Sequence, residues 1–122
     1  FFFRTGFQGE TAVEPTLSSD LLRGHTDTIV LAMLMSGDRY GLEIYNLVLA
    51  RTAGQYELKA DTLYSSYKRL EKGGFITSYW GEESQGARRK YYSITGKGRE
   101  LYQQNMMNWE FTLSILSKLL SE

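Results

Sequence analysis

The sequence predicts a mainly α-helical single domain carrying one β-hairpin and a long C-terminal helix, and three observations lead there. Apolar residues recur at spacings of three and four through most of the chain after residue 18. Between residues 75 and 94 the period changes: two runs rich in aromatic and β-branched residues flank a tip containing two Gly and two Glu. From residue 95 a spacing of four and three resumes and holds almost to the end. With 122 residues, 42% hydrophobic and 23% charged, the chain can fill one core and has no material for two. It has no cysteine, which excludes disulfides, thiolate metal sites and cysteine nucleophiles together.

Taken in order, residues 1–17 read as a loose or processed arm. The first helix is expected to start after Ser18, Ser19 and Asp20, any of which can cap it, and to run through Leu21-Leu22 and residues 29–34 to Ser36-Gly37 as one apolar, central element. Asp38 is expected to cap the second helix, with Leu42, Tyr45, Val48 and Leu49 on its buried face and Gly54 at its end. The third starts near Lys59, buries Leu63, Tyr67 and Leu70, and stops at Gly73-Gly74; Thr62, Ser65, Ser66, Lys68, Arg69 and Lys72 form its opposite, polar and basic surface. Strands follow at 75–80 and 89–94. Thr95 then caps the last helix, where Tyr102, Met106, Trp109, Leu113, Leu116 and Leu120 make a coiled-coil-like seam and Leu101, Thr112, Ile115 and Leu119 a second stripe. One small domain cannot cover both stripes, so one is expected to meet a second subunit.

Three helices, a hairpin and a long helix form the plan of a winged helix-turn-helix, in which the third helix enters the DNA major groove and the hairpin touches the flanking backbone. The domain is placed at residues 18–95 and the dimerisation helix at 96–122. Net charge is zero, yet residues 39–100 hold eleven Lys/Arg against seven Asp/Glu, while the rest hold three against seven. A basic middle suits phosphate contact. The longest apolar run, residues 29–35, falls far short of the ~20 residues of a membrane span. The N-terminus lacks the pattern of a secretory signal, so a cytoplasmic location is expected.

Several separated motifs agree with one family. Tyr40-Gly41, Thr62-Leu63-Tyr64 with Arg69-Leu70-Glu71, and Gly74-Phe75-Ile76 leading to Arg88-Arg89-Lys90-Tyr91-Tyr92-Ser93-Ile94-Thr95 resemble the PadR family of bacterial transcriptional regulators. Residues 78–86 and the placement of Trp109 look closest to its lactococcal multidrug-resistance repressor branch. The resemblance implies a homodimeric repressor of double-stranded operator DNA. Its DNA contacts would fall on Tyr40, Lys59, Thr62, Tyr64, Ser65, Lys68, Arg69, Arg88 and Arg89. It also implies a planar aromatic small-molecule effector held by Leu21, Gly24, Asp27 and Thr28 of the first helix with Met106, Trp109 and Leu113 of the last. Two positions depart from the pattern. Lys59-Ala60-Asp61 stand where the family commonly has Ser or Pro, and Leu113 stands where the drug-binding branch has an acid, which favours an apolar pocket floor.

Blander readings stand beside these. Trp109 serves equally as plain dimer core, and Lys68 with Arg69 as a solvated pair. Glu82 and Glu83 read as solvated loop, because neighbouring carboxylates point apart and no partner acid is near. With His25 the only histidine, no catalytic triad or multi-histidine metal cluster can form within one chain, so neither enzyme, metal nor cofactor is expected. Because a heptad seam fits hetero- as well as homodimers, a helix-mediated protein-interaction module without DNA binding is the second reading.

Overall fold

The computed structural model describes residues 14–82 and 88–122. Its elements in chain order are α1 (Ser19–Arg23), α2 (Thr26–Leu34), β1 (Arg39–Tyr40), α3 (Gly41–Arg51), α4 (Ala60–Lys72), β2 (Ile76–Trp80), β3 (Lys90–Ile94) and α5 (Gly96–Leu120). The three strands form an antiparallel sheet in the order β1-β3-β2. The hairpin pairs Ile76 with Ile94 at its base and Trp80 with Lys90 toward its tip. Residues 83–87, the centre of the expected tip, and residues 1–13 of the expected arm lie outside the described residues.

α2 is the hub, as its all-round apolar surface requires: Val30, Leu31, Met33 and Leu34 are buried. Ile44 and Val48 of α3, Leu63, Tyr67 and Leu70 of α4, Leu58, Ile76 and Tyr92 close the core around it. Tyr67 stacks on Tyr92 at 4.2 Å and donates its hydroxyl to the Gly41 carbonyl at 2.7 Å. Burial pushes this phenol well above its ordinary range, which favours the protonated, donating hydroxyl.

The expected landmarks of α4, the hairpin and the last helix hold. Lys59 is the N-cap residue of α4, Gly74 takes the left-handed conformation after it (φ 80°), and Thr95 Oγ1 accepts from Gly98 N at 3.0 Å to open α5. Four expectations are corrected. The first helix is two: Ser18 caps α1 by accepting from Leu21 N, α1 stops at Gly24, and α2 begins at Thr26, whose hydroxyl donates back to the Arg23 carbonyl. Asp38 caps nothing and instead accepts from Tyr79 Oη at 2.6 Å. The cap of α3 is Tyr40, whose N–H is received by Glu43 at 3.2 Å. The buried face of α3 is Gly41/Ile44/Val48 rather than the stripe through Leu42, and Leu42 is 52% exposed. The helix starts two residues later than expected, with Tyr40 rather than Asp38 as its cap, and keeps its period while a different face meets the core. Finally Ser66, expected at the surface, is buried against α2, where a carboxylate receives it.

Candidate nucleic-acid interface and apolar cavity

α4 turns Leu63, Tyr67 and Leu70 inward, so its 3.6-residue repeat carries Asp61, Ser65, Lys68 and Lys72 outward, and all four are exposed. Asp61 receives the N–H of Thr62 at 2.8 Å and complements the helix dipole. Lys59, Lys68 and Lys72 make no hydrogen bond or ion pair among the described residues, so their charges are available. Between the inward and outward faces, each flank of α4 is pinned. On one side the Tyr64 ring covers Gly41 so closely that a β-carbon there would sit 2.5 Å from the hydroxyl, and its edge meets Tyr67 at 5.1 Å. Only glycine allows this approach.

On the other flank Arg69 grips Asp27 of α2 with two bonds, Nη2 to Oδ1 at 2.6 Å and Nε to Oδ2 at 3.0 Å, and Ser66 Oγ donates to the same carboxylate at 2.7 Å. This corrects two expected roles. Arg69 is committed to its own protein rather than free for phosphate, and Asp27 faces α4 instead of the cavity. Burial raises the Asp27 pKa, but the hydrogen bonds from Arg69 and Ser66 and the Arg69 charge outweigh it, and the carboxyl ionises below its ordinary 3.8. The pair therefore contributes fully above that ordinary value, and the contribution fades as pH falls through the lower folded-state value. Arg69 remains 59% exposed, so the scale is that of a screened pair. Arg69→Ala should lower stability at pH 7 by about 1 kcal/mol and leave stability in strong acid unchanged. Urea unfolding at both pH values checks this, and equal losses at both would show the role not to be ionic.

The wing extends the basic surface. Arg89 lies over the Tyr40 ring at 4.4 Å and Arg88 over Trp80 at 5.5 Å, while Lys90 Nζ stands about equally far from the Trp80 and Tyr92 rings, at 6.0 and 5.9 Å. These residues line a cleft of about 410 Å³ with Gly41, Leu42 and Tyr64, and among the described residues no acid lines it. Tyr40, Tyr64, Arg88 and Arg89 of the expected set thus meet in one place. Thr62, half-buried, and Ser65 sit on the helix beside it. Trp80 and Lys90, hairpin residues outside the expected contact set, also line the cleft. Their cross-strand pairing was the signal, since an aromatic opposite a lysine on a hairpin stacks by default.

On the far side of α2 a cavity of about 700 Å³ opens between α1, α2 and α5. Leu21, Thr28, Met106, Trp109 and Leu113 line it as expected, and Gly24 lines an adjoining space of about 340 Å³. Leu22, His25, Ile29, Ala32 and Leu116 are also in the wall. His25 meets the Trp109 ring edge-on at 5.0 Å, a contact invisible in the sequence because 84 positions separate them. Thr28 Oγ1 accepts from Asn105 Nδ2 at 2.9 Å, which ties α2 to α5. The seam is divided: Tyr102 packs on the core, Met106 and Leu113 are half-buried at the cavity, and Trp109, Leu116 and Leu120 stay exposed.

A helix-turn-helix whose second helix presents free lysines, flanked by a cationic two-stranded wing, defines a winged-helix DNA-binding protein. The sequence pattern of the transcriptional regulator PadR-like family matches residues 30–104, more than half of the chain, and the protein belongs to that family. A solved transcriptional regulator from Clostridium thermocellum is 44% identical, with a TM-score of 0.80 over 87% of this chain and 100% of that one. A PadR family transcription regulator from Clostridium difficile is 31% identical, with a TM-score of 0.68 over 80% and 100%. An uncharacterised protein from Lysinibacillus sphaericus is 41% identical over 91 residues, 75% of this chain and 84% of its own length. Members of the family are transcription regulators rather than enzymes, so the reading without DNA binding gives way. Among the described residues no helix is long and apolar enough to cross a membrane.

Proposed function

We propose that this protein is a homodimeric repressor of double-stranded operator DNA, released when a planar aromatic or apolar effector of the kind taken by multidrug-binding regulators enters the cavity at Trp109. The observation that carries the reading is continuity. The exposed apolar stripe of α5 begins at the wall of the cavity, and Trp109 and Leu116 belong to both. A second copy seated on that stripe closes the cavity and sets two α4 helices about 34 Å apart, one turn of DNA. An effector acts only through the difference in its affinity for the DNA-spaced and other arrangements.

Lys68 and Lys72 are the phosphate contacts of α4, with Lys59, Tyr64 and Ser65 beside them and Tyr40, Arg88 and Arg89 at the wing. Replacing Lys68 and Lys72 together by Ala should weaken binding to any duplex and flatten the slope of log affinity against log salt by about 2, roughly one unit per lost contact. Fluorescence anisotropy over a salt series measures this; an unchanged slope would remove α4 from the interface. The effector half of the reading is tested by tryptophan quenching with planar dyes, neutral and cationic. The unmodified protein should bind both kinds alike, because the cavity floor at Leu113 is apolar, and Trp109→Ala should lose at least about 1 kcal/mol of that affinity. Equal binding to both proteins would leave Trp109 as core alone.

A further inference from the structure

The cavity and the outward face of α4 lie on opposite sides of α2, and two consecutive residues of α2 span the separation. Asp27 receives the Arg69 fork and the Ser66 hydroxyl of α4. Thr28 lines the cavity and receives Asn105 of α5. Val30 and Leu34 of α2 and Leu63 and Leu70 of α4 also belong to one apolar core, and apolar burial is non-directional. A planar guanidinium bound through two of its nitrogens constrains rotation as well. Because adjacent helical residues are held rigidly about 100° apart, a turn of α2 driven at Thr28 must also move the Asp27 carboxylate.

We infer that Asp27 and Thr28 are positioning residues that set the angle of α4 from the cavity side, Asp27 by holding Arg69 and Thr28 by receiving Asn105. In its ligand arm the inference rests on the effector reading above and specifies how that signal reaches DNA; its other arm needs no ligand. The path is short. Effector wall, Thr28, Asp27, Arg69 and the lysine-bearing face of α4 follow one another with no gap, and Asn105 supplies a handle remote from both Arg69 and the DNA face.

The test uses the full chain and two variants, Asp27→Asn, which keeps the shape and the Ser66 acceptor but removes the charge, and Asn105→Ala. Without ligand, solvent exchange of the Arg69 Nε–H is followed by NMR. In Asn105→Ala it should speed up at least about threefold, although Asn105 touches neither partner of the pair, because the relaxed α2 loosens the fork. With ligand, duplex affinity is measured with and without anilinonaphthalene sulfonate, an aromatic anion that DNA repels. The probe should weaken duplex binding by the unmodified protein by about fivefold or more, and in both variants that factor should fall to within about twofold of one while each still binds the probe. An unchanged Nε–H in Asn105→Ala overturns the inference, as does a coupling factor preserved in either variant. If the probe fails to bind the unmodified protein or leaves its duplex affinity untouched, the effector reading falls and the Nε–H exchange alone decides the inference.

Discussion

Gly98→Ala is expected to cost about 3 kcal/mol, the upper end of what overpacking does, in a domain whose whole stability is of order 5–15 kcal/mol. Gly98 is buried in the first turn of α5, against Phe75 and the Ile94 end of β3. A β-carbon there would drive into the Phe75 carbonyl oxygen and stand 2.8 Å from Ile94 Cγ1. Neither neighbour can yield cheaply. The Phe75 carbonyl already receives Thr95 N at 3.1 Å and lies 3.0 Å from the Thr95 hydroxyl, and Ile94 is fixed in the hairpin opposite Ile76. Relief requires α5 to lift away, which would break the cap between Thr95 and Gly98. Gly96→Ala is the control: nothing lies within 4 Å of a β-carbon there, and the change should be neutral or stabilising by about 0.5 kcal/mol. Urea unfolding should show a large drop in midpoint for the first variant at an unchanged slope. Similar midpoints for the two would mean that the α5 junction is looser than its geometry states.

Leu116→Glu should separate assembly from folding. In one protomer Leu116 is 41% exposed at the rim of the cavity, so a carboxylate there reaches water and the melting behaviour of the protomer should change little. In a pair joined along α5 the same position is covered, and two unpaired like charges would be buried at a cost of several kcal/mol, roughly 3–5. Sedimentation at micromolar concentration should therefore show a dimer for the unmodified chain and a monomer for the variant. Duplex affinity should fall by about a hundredfold, because the second half-site contact is no longer intramolecular. A monomeric unmodified protein would end the dimer reading without any mutation.

Elements whose causes are local were legible. The inward stripe of α4, the change of period at the hairpin and the cap at Thr95 each depend on residues within four positions of one another, and each stands as expected. Where a cause is not local, the reading slipped. β1 is two residues long and exists because Arg39 and Tyr40 pair with Tyr92 and Tyr91, more than fifty positions on. The break between α1 and α2 is the exception: its cause is local, Thr26 turning back on Arg23, and residues 23–28, which interrupt the apolar pattern, carried a signal that was passed over.

The chain's own pattern was enough to predict a winged helix with a long apolar last helix, while the grouping of Leu21, Thr28, Met106, Trp109 and Leu113, which line one cavity, came from the family resemblance. It could not say which cations are spent inside the protein. Lys68 and Arg69 are neighbours of like charge, and nothing local separates them. In three dimensions 100° of helix rotation carries Arg69 to Asp27, 42 positions away, and leaves Lys68 in water. A long charged side chain takes whichever opposite charge its flank meets at the least cost in desolvation, and that encounter is made by the packing of α2 against α4 rather than by either helix alone.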